Sequence, residues 1–336
     1  MGIVGGKQQA KLRNMAEYLL GIDLGGTNIK IGCFDADLKL IGKISVPTGP
    51  DMGPESVVEK FRSVSSGLLK QHELSLADVS AVGIGSPGLV NTTKGIVEAA
   101  PNLPLFKNVP LRDMVAKRFG KPTILENDAN AACWAEYVIG AARGVDHMIM
   151  LTLGTGIGAG IVSEGKLIHG PTGGAAELGH VIIYPAGRPC PCGQNGCVEA
   201  YASASSTAAR ATEAVQNGAQ SSLTTVLEEQ KKITCKDVFE HAGHGDSLAN
   251  EIVDGTAKAL ALLCIQMVKT TDPHSIVFAG GMIAAGDALL ARIRHFYQQY
   301  IGRLFERGDL RLCFAVLGED AGITGASALA QTACKS

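Results

Sequence analysis

The chain has 336 residues, of which 46% are hydrophobic and 18% charged, with 42 glycines and a formal charge of −2. That length allows one large or two ordinary domains with well-buried cores, and the composition suggests a compact α/β protein with many tight turns. The near-neutral charge gives no electrostatic footprint for nucleic acid or an anionic membrane, and no apolar run reaches the ~20 residues needed to cross a bilayer.

Residues 1–17 read as a loose leader without the order of a secretory signal. Nine cysteines, most of them in apolar segments, read as the buried thiols of a reduced, cytoplasmic protein plus one special cluster. Residues 17–47 read as three short strands joined by a Gly-Gly-Thr turn and a polar hairpin. A helix is expected over about 54–71, with Val57, Val58, Phe61, Val64 and Leu68 at helical spacing. VSAVGIGSPGLVN (79–91) is a buried strand running into a loop rich in glycine and proline, and 110–120 is a short amphipathic helix. Residues 122–142 read as strand, polar turn and helix.

Residues 147–170 then repeat the opening pattern. Aligning IDLGGTNIKIG (22–32) with LTLGTGIGAGI (151–161) makes the glycine turns coincide, which argues for a duplicated, two-lobed architecture. The remainder alternates helix (246–269), strand (275–281), helix (286–305), strand (311–317) and a closing helix from Ile323.

GTGIGAG (154–160) has Rossmann-like spacing, but a strand and hairpin follow it rather than the helix that such a fingerprint needs. Either glycine turn alone reads equally well as a hairpin connection. Together, glycine amides and threonine hydroxyls form two cradles suited to phosphate oxygens. Asp23, just before the first turn, suits a hydrated Mg²⁺. A third glycine turn, in VFAGGMI (277–283), lets a base or ribose approach the backbone closely.

ENDANAA (126–132) sets Asn127 and Asp128 where a strand gives way to a helix. Both residues are favoured helix caps, which is the plain reading. A carboxylate at a helix N-terminus also stays ionised, which suits an acceptor for a hydroxyl proton in phosphoryl transfer. In HVIIYPAGRPCPCGQNGCVE (180–199), His180, Cys190, Cys192 and Cys197 supply four ligands of the types that close a tetrahedral zinc site. The alternative is a chance cluster of unligated side chains. A catalytic zinc keeps one position open, whereas four protein ligands leave none, so a structural Zn²⁺ is expected.

DLGGT (23–27), GIGSPGLV (83–90), PNLP (101–104), ENDANAA, LTLGTGIGAGIV (151–162), ELGH (177–180) and CPCGQNGCVEAYAS (190–203) together resemble the ROK family of sugar kinases and repressors, over about residues 18–332. The resemblance implies an actin/hexokinase-like (ribonuclease H-like) ATPase fold, α/β and two-lobed, with a duplicated sheet core and an interlobe cleft. A smaller lobe would span 18–125, with a C-terminal helix (about 319–336) packing back on it, and a larger lobe with the zinc loop would span 126–318.

The implied activity is ATP-dependent phosphorylation of glucose at the 6-hydroxyl with Mg²⁺, with Asp128 as catalytic base. The implied sugar contacts are Asn102, Asn127, Asp128, Glu177, His180 and Glu199. The nucleotide contacts would be Asp23, Gly25, Gly26, Thr27, Asn28, Gly154, Thr155, Gly156, Gly280 and Gly281. N-acetylmannosamine, N-acetylglucosamine or fructose are the alternative sugars, and a homodimer or dimer of dimers is the implied assembly. One departure is Phe106, where the family often has tryptophan. A sugar-responsive repressor is the alternative of a different class. Only 22 residues precede Asp23, without the two helical patterns of a DNA-binding segment.

Overall fold

The structure, a computed structural model, describes residues 18–49 and 51–334, so the leader expected over 1–17 lies outside the described residues. The opening apolar runs form β1 (Tyr18–Leu24), β2 (Asn28–Phe34) and β3 (Leu40–Pro47), successively antiparallel. β4 (Val79–Ser86) and β8 (Thr123–Asn127) extend the sheet in parallel on the other side of β1, giving the order β3-β2-β1-β4-β8. A parallel pair needs a crossover between its strands. α1 (Pro54–Gln71) lies between β3 and β4 in the chain, and α2 (Leu111–Phe119) comes before β8. α1 begins with proline in its first turn, a position where the missing N–H costs nothing, and buries Val57, Val58, Phe61, Leu68 and Leu69. Between β4 and α2 the chain adds a small sheet of β5 (Leu89–Asn91), β6 (Ile96–Ala99) and β7 (Lys107–Val109).

β8 passes directly into α3 (Asp128–Val138). The polar turn expected there is absent, because the Asn127 side chain caps the helix in its place. Asn127 Oδ1 accepts from Ala129 N at 2.9 Å and Asn130 N at 3.2 Å.

The second half repeats the plan with β9 (Met148–Leu153), β10 (Ile157–Ser163), β11 (Lys166–Leu167), β12 (Ser275–Ala279) and β13 (Arg311–Phe314). Their order, β11-β10-β9-β12-β13, reproduces the first sheet strand for strand, including the switch from antiparallel to parallel pairing. β12 is buried along its whole length, as expected of an inner parallel strand.

The repeat is nevertheless not exact. Leu24 pairs with Ile29 across the first turn, whereas Leu153 pairs with Ile157 across the second. The second turn is therefore one residue shorter, and the ungapped alignment fails beyond it. β2 buries Ile29, Ile31 and Cys33, while β10 buries Ile157, Ala159 and Ile161. Those sets coincide only if β10 slips by one residue, since a one-residue shift turns every side chain to the opposite face.

The helices α4 (Glu199–Ala202), α5 (Ala204–Gln216), α6 (Leu223–Gln230) and α7 (Cys235–Gly243) fill the stretch before the helix expected from 246, where no element was expected. α8 (Ser247–Thr271) and α9 (Asp287–Tyr300) pack against each other, with Leu260, Cys264, Leu289 and Ile293 in one core with Ile149, Leu151 and Phe278. α9 ends short of the expected 305. α8 is capped by Asp246, whose carboxylate accepts from Ala249 N at 2.9 Å. Burial opposes its charge, but donors from Ala249, Ser222 and Ser221 outweigh that and hold the carboxyl at about 2.

α10 (Ala321–Ala333) packs on β1, β4 and α3. The chain accordingly divides into two compact units. The first takes the described residues up to Val138, His169–Ala175, and those from Glu319 onward. The second takes Ile139–Ile168 and Ala176–Gly318. The first unit thus runs past the expected boundary at 125/126, because α3 is clamped between its own strand and α10. Among the described residues no helix is long and apolar enough to cross a membrane, and none of the nine cysteines is in a disulfide.

Candidate active site and metal centre

In the first unit, the turn from Gly25 to Asn28 closes with Gly25 N–H donating to Asn28 O at 2.9 Å. Thr48, fully buried, straps it by donating its hydroxyl to Gly25 O at 2.6 Å and its N–H to Thr27 O at 2.7 Å. These are carbonyls that would repel a phosphate, and they are already engaged. Asn102 lies directly against Gly26, where a Cβ would approach its side chain to 2.7 Å. Any residue other than glycine at this position would displace Asn102. Asp23 ends against Gly322, in the first turn of α10, where the helix dipole favours a negative charge. Burial pushes its carboxyl above the ordinary carboxylate range, with Lys30 opposing.

At the β8–α3 junction Asn127 also donates from Nδ2 to Gly88 O at 3.2 Å, joining the capped helix to the loop after β4. Asp128 is the first residue of α3 and half-buried, with Oδ1 accepting from Ala129 N at 2.8 Å. Sequence reasoning missed two residues here. Glu126 is only 3% exposed, and His169 donates from Nε2 to Glu126 Oε2 at 2.7 Å. That hydrogen bond raises His169 above its usual value, and burial works against it. ENDANAA contained the glutamate, but nothing in the sequence pointed to a histidine 43 positions away as its partner. Phe106 is 1% exposed and packs with Val97, Leu103 and Val109 in the core of this unit.

In the second unit, Gly154 N–H donates to Gly156 O at 3.0 Å, closing the shorter turn. Glu199, the first residue of α4, accepts from Ile157 N at 2.7 Å and presses its carboxylate on Gly156. Leu153, Gly154 and Thr155 line a cavity of about 470 Å³ together with Phe239, Gly281 and Met282. Lys236 and Glu240 of α7 also border it. Cys235, in its wall, is pushed up to about 11 by burial and stays protonated near neutrality. Gly280 turns at φ +89°, and a Cβ there would meet Leu153 O at 2.5 Å, so the third glycine turn closes against the end of β9.

His180, Cys190, Cys192 and Cys197 come together in this unit, with their four ligand atoms all within 4.8 Å of one another. His180 Nδ1 lies 3.6 Å from Cys190 Sγ, and Cys192 Sγ lies 3.7 Å from Cys197 Sγ. A tetrahedron of Zn–S bonds of about 2.3 Å has edges of about 3.8 Å, so the donor set fits zinc. The loop holds this shape through its backbone. Cys190 N–H donates to Gln194 O at 2.8 Å, Gly193 N–H to Cys190 O at 3.0 Å and Val198 N–H to Val181 O at 3.0 Å. Burial pushes the Cys197 thiol up to about 12. Glu177 is exposed and precedes a 3-10 turn, Leu178–His180.

Two copies of one mixed five-stranded sheet, each with a glycine turn between its central antiparallel strands, define the duplicated actin-like α/β fold of ATP-using sugar kinases and their kin. Within that class the chain belongs to the ROK family, whose model matches residues 19–333. It is 39% identical to the glucokinase of Thermotoga maritima over 93% of this chain and 96% of that protein. It is 33% identical to the N-acetylmannosamine kinase of Citrobacter koseri over 93% and 98%. Among solved structures, a ROK family glucokinase from Streptomyces griseus in complex with glucose and AMPPNP is similar with a TM-score of 0.78. It is 33% identical, and the match covers 94% of this chain and 99% of that one.

Proposed function

We propose that this chain is a glucokinase that transfers the γ-phosphoryl group of ATP to the 6-hydroxyl of glucose. The observation that carries the chemistry is the division of labour at the β8–α3 junction. Asn127 caps two N–H groups of the helix, so the Asp128 carboxylate beside it is not needed as the sole cap. It stands at the positive end of α3, which favours a charged carboxylate, and suits the role of general base. The sugar oxygen attacks the γ-phosphorus, its proton passes to Asp128, and the bond from that phosphorus to the β,γ-bridging oxygen breaks to release ADP.

Gly25–Asn28 and Gly154–Gly156 serve the phosphates, with Glu199 taking Ile157 N–H at the end of the second turn. The cavity beside Gly154, Thr155 and Gly281 has the size and apolar wall for an adenine base. Asn102, Asn127, Glu177, His180 and Glu199 bind the sugar. Asp23 would hold a hydrated Mg²⁺, which would neutralise phosphate charge. His180 Nδ1 and the three thiolates would hold a zinc ion that would lend the loop rigidity, which would leave the Nε2 of His180 for a sugar hydroxyl.

Free thiols support a cytoplasmic location, and the family resemblance supports a homodimer or dimer of dimers. The test is ADP release with Mg²⁺ across glucose, mannose, fructose and the two N-acetylhexosamines. Glucose should give the highest kcat/KM. A higher value on N-acetylmannosamine would replace the substrate, and no turnover on any sugar with tight binding to operator DNA would end the enzyme reading.

A further inference from the structure

Glu126 is the penultimate residue of β8 and is buried, yet it carries a carboxylate. Each of its oxygens is used. Oε1 accepts from Asn127 N at 2.9 Å and from Asn130 Nδ2 at 3.1 Å, and Oε2 accepts from His169 Nε2 at 2.7 Å. Asn127 and Asn130 flank Asp128 in the chain, one just before it and one in the first turn of α3. Glu126 therefore grips the backbone and the side chain on either side of the proposed base.

The grip has a cost at Asn130. Its amide nitrogen is turned to Glu126, which leaves Asn130 Oδ1 buried without a protein partner among the described residues. An isolated amide would not choose that orientation; an acceptor-only carboxylate imposes it. A carboxylate taken out of water in turn needs a cation or strong donors around it. His169 supplies one, and it comes from a separate segment. His169–Ala175 follows β11 and packs with the first unit, closed on itself by Ala175 N–H donating to His169 O at 3.1 Å. The segment also sits close to β5, where a Cβ on Gly173 would meet Val90 O at 2.3 Å. The imidazole is thus delivered by a fixed loop rather than by a free side chain.

We propose that Glu126 and His169 are a positioning pair for phosphoryl transfer, holding the strand-to-helix junction so that Asp128 meets the sugar hydroxyl in line. Neither residue touches the reacting atoms. The inference rests on the kinase reading of Asp128. It explains why a buried carboxylate stands two residues before that residue, where an apolar side chain would serve packing alone.

The experiment compares His169→Phe, His169→Gln and Glu126→Gln in the full chain, with kcat, KM for glucose and ATP, glucose affinity by calorimetry, and thermal melts. Phenylalanine keeps the ring and removes the donor, whereas glutamine places an amide N–H near the position of Nε2. Misplacing a reacting group by about 1 Å costs about 10²-fold. His169→Phe should accordingly lower kcat roughly ten- to a hundredfold while glucose affinity shifts less than about threefold. His169→Gln should recover most of that loss.

A folded His169→Phe protein with parental kcat, equal losses in kcat and glucose affinity, or failure of glutamine to rescue would overturn the proposal. Should His169→Phe not fold, Glu126→Gln takes its place. It keeps the shape of Glu126 but sets an amide against His169, and unchanged kcat there overturns the proposal equally. A parental chain inactive on every sugar sinks the kinase reading together with this inference, whereas an active parent with unaffected variants sinks the inference alone.

Discussion

The two halves of the molecule have the same strand order and the same antiparallel pair around a glycine turn, yet they support that turn by different means. In the first half a neutral residue, Thr48, holds the turn from its carbonyl side, and a carboxylate, Asp23, stands just before it. In the second half the position equivalent to Asp23 is Thr152, whose hydroxyl accepts from Gly158 N at 3.1 Å within its own hairpin. There the carboxylate comes after the turn, from Glu199 on α4. The one-residue difference in turn length matters for this. The longer turn closes on Asn28, and the shorter one brings the Ile157 N–H to Glu199. Duplication thus preserved the sheet while the polar groups around the two turns diverged. The first half carries the acids of the proposed reaction, and the second carries the apolar cavity and the loop of His180 and three cysteines.

The sharpest way to break that contrast is at the acid of the first half. Asp128→Asn should leave glucose and ATP affinity nearly intact while kcat falls about 10²–10⁴-fold, the usual contribution of a general base. Steady-state kinetics with calorimetric binding checks it. Equal losses of affinity and turnover would reduce Asp128 to a helix-terminal residue and erase the chemical asymmetry between the halves.

Much of this was legible in the sequence, for definable reasons. Strands such as β1 and β9 are largely apolar runs that lead into a glycine turn, and α1 has a clean helical stripe, so their positions followed from pattern alone. His180, Cys190, Cys192 and Cys197 lie within 18 residues, so local spacing was enough to group them. The missed helices bury fewer or smaller apolar side chains than α1. α5 buries Thr207, Ala211 and Val215, small or polar residues that do not mark an apolar face. α7 did carry a readable cue, the Thr234–Asp237 capping box. The slip between β2 and β10 was hidden because glycine fills the turn in either register. The Glu126–His169 pair was hidden because a contact between distant segments leaves no periodic trace.

The metal loop tests whether the second half depends on support that the first lacks. Cys197 is buried and lies two residues before Glu199. Elemental analysis should find about one zinc per chain, the fourfold donor set allowing no open position. Cys197→Ser should lose that metal and weaken glucose binding on the order of tenfold, with a smaller effect on ATP. A metal-free protein with full glucose affinity would mean that the loop stands without its ion.

Glu199 makes a narrower test of the same half. Hydrogen bonds to charged groups contribute about 1.5–3 kcal/mol, and about 1.4 kcal/mol is tenfold in affinity. Glu199→Ala should raise KM for ATP as well as for glucose, each by about tenfold, because the carboxylate proposed to bind the sugar also accepts the Ile157 N–H. If KM for ATP did not move, the contact with the second turn would be incidental to nucleotide binding.

The smallest effect is expected at Thr152, the position where the halves differ most plainly from Asp23. Valine has the shape of threonine without the hydroxyl, so Thr152→Val removes the acceptor for Gly158 N and little else. A single neutral hydrogen bond is worth about 1 kcal/mol net, or about 2–4 °C in Tm for a unit of this size. Thr152 is a structural residue on this account, so the melt should shift by that amount while kcat and KM stay within about twofold. The loss stays small because Gly158 sits on a half-buried strand end, where water can replace the missing acceptor. A Tm unchanged by the substitution would mean that the hydroxyl contributes nothing to the hairpin. A large fall in kcat at constant Tm would be the more informative failure. It would give Thr152 a part in the chemistry like that proposed for Asp23, and the two turns would then be functional equivalents despite their different residues.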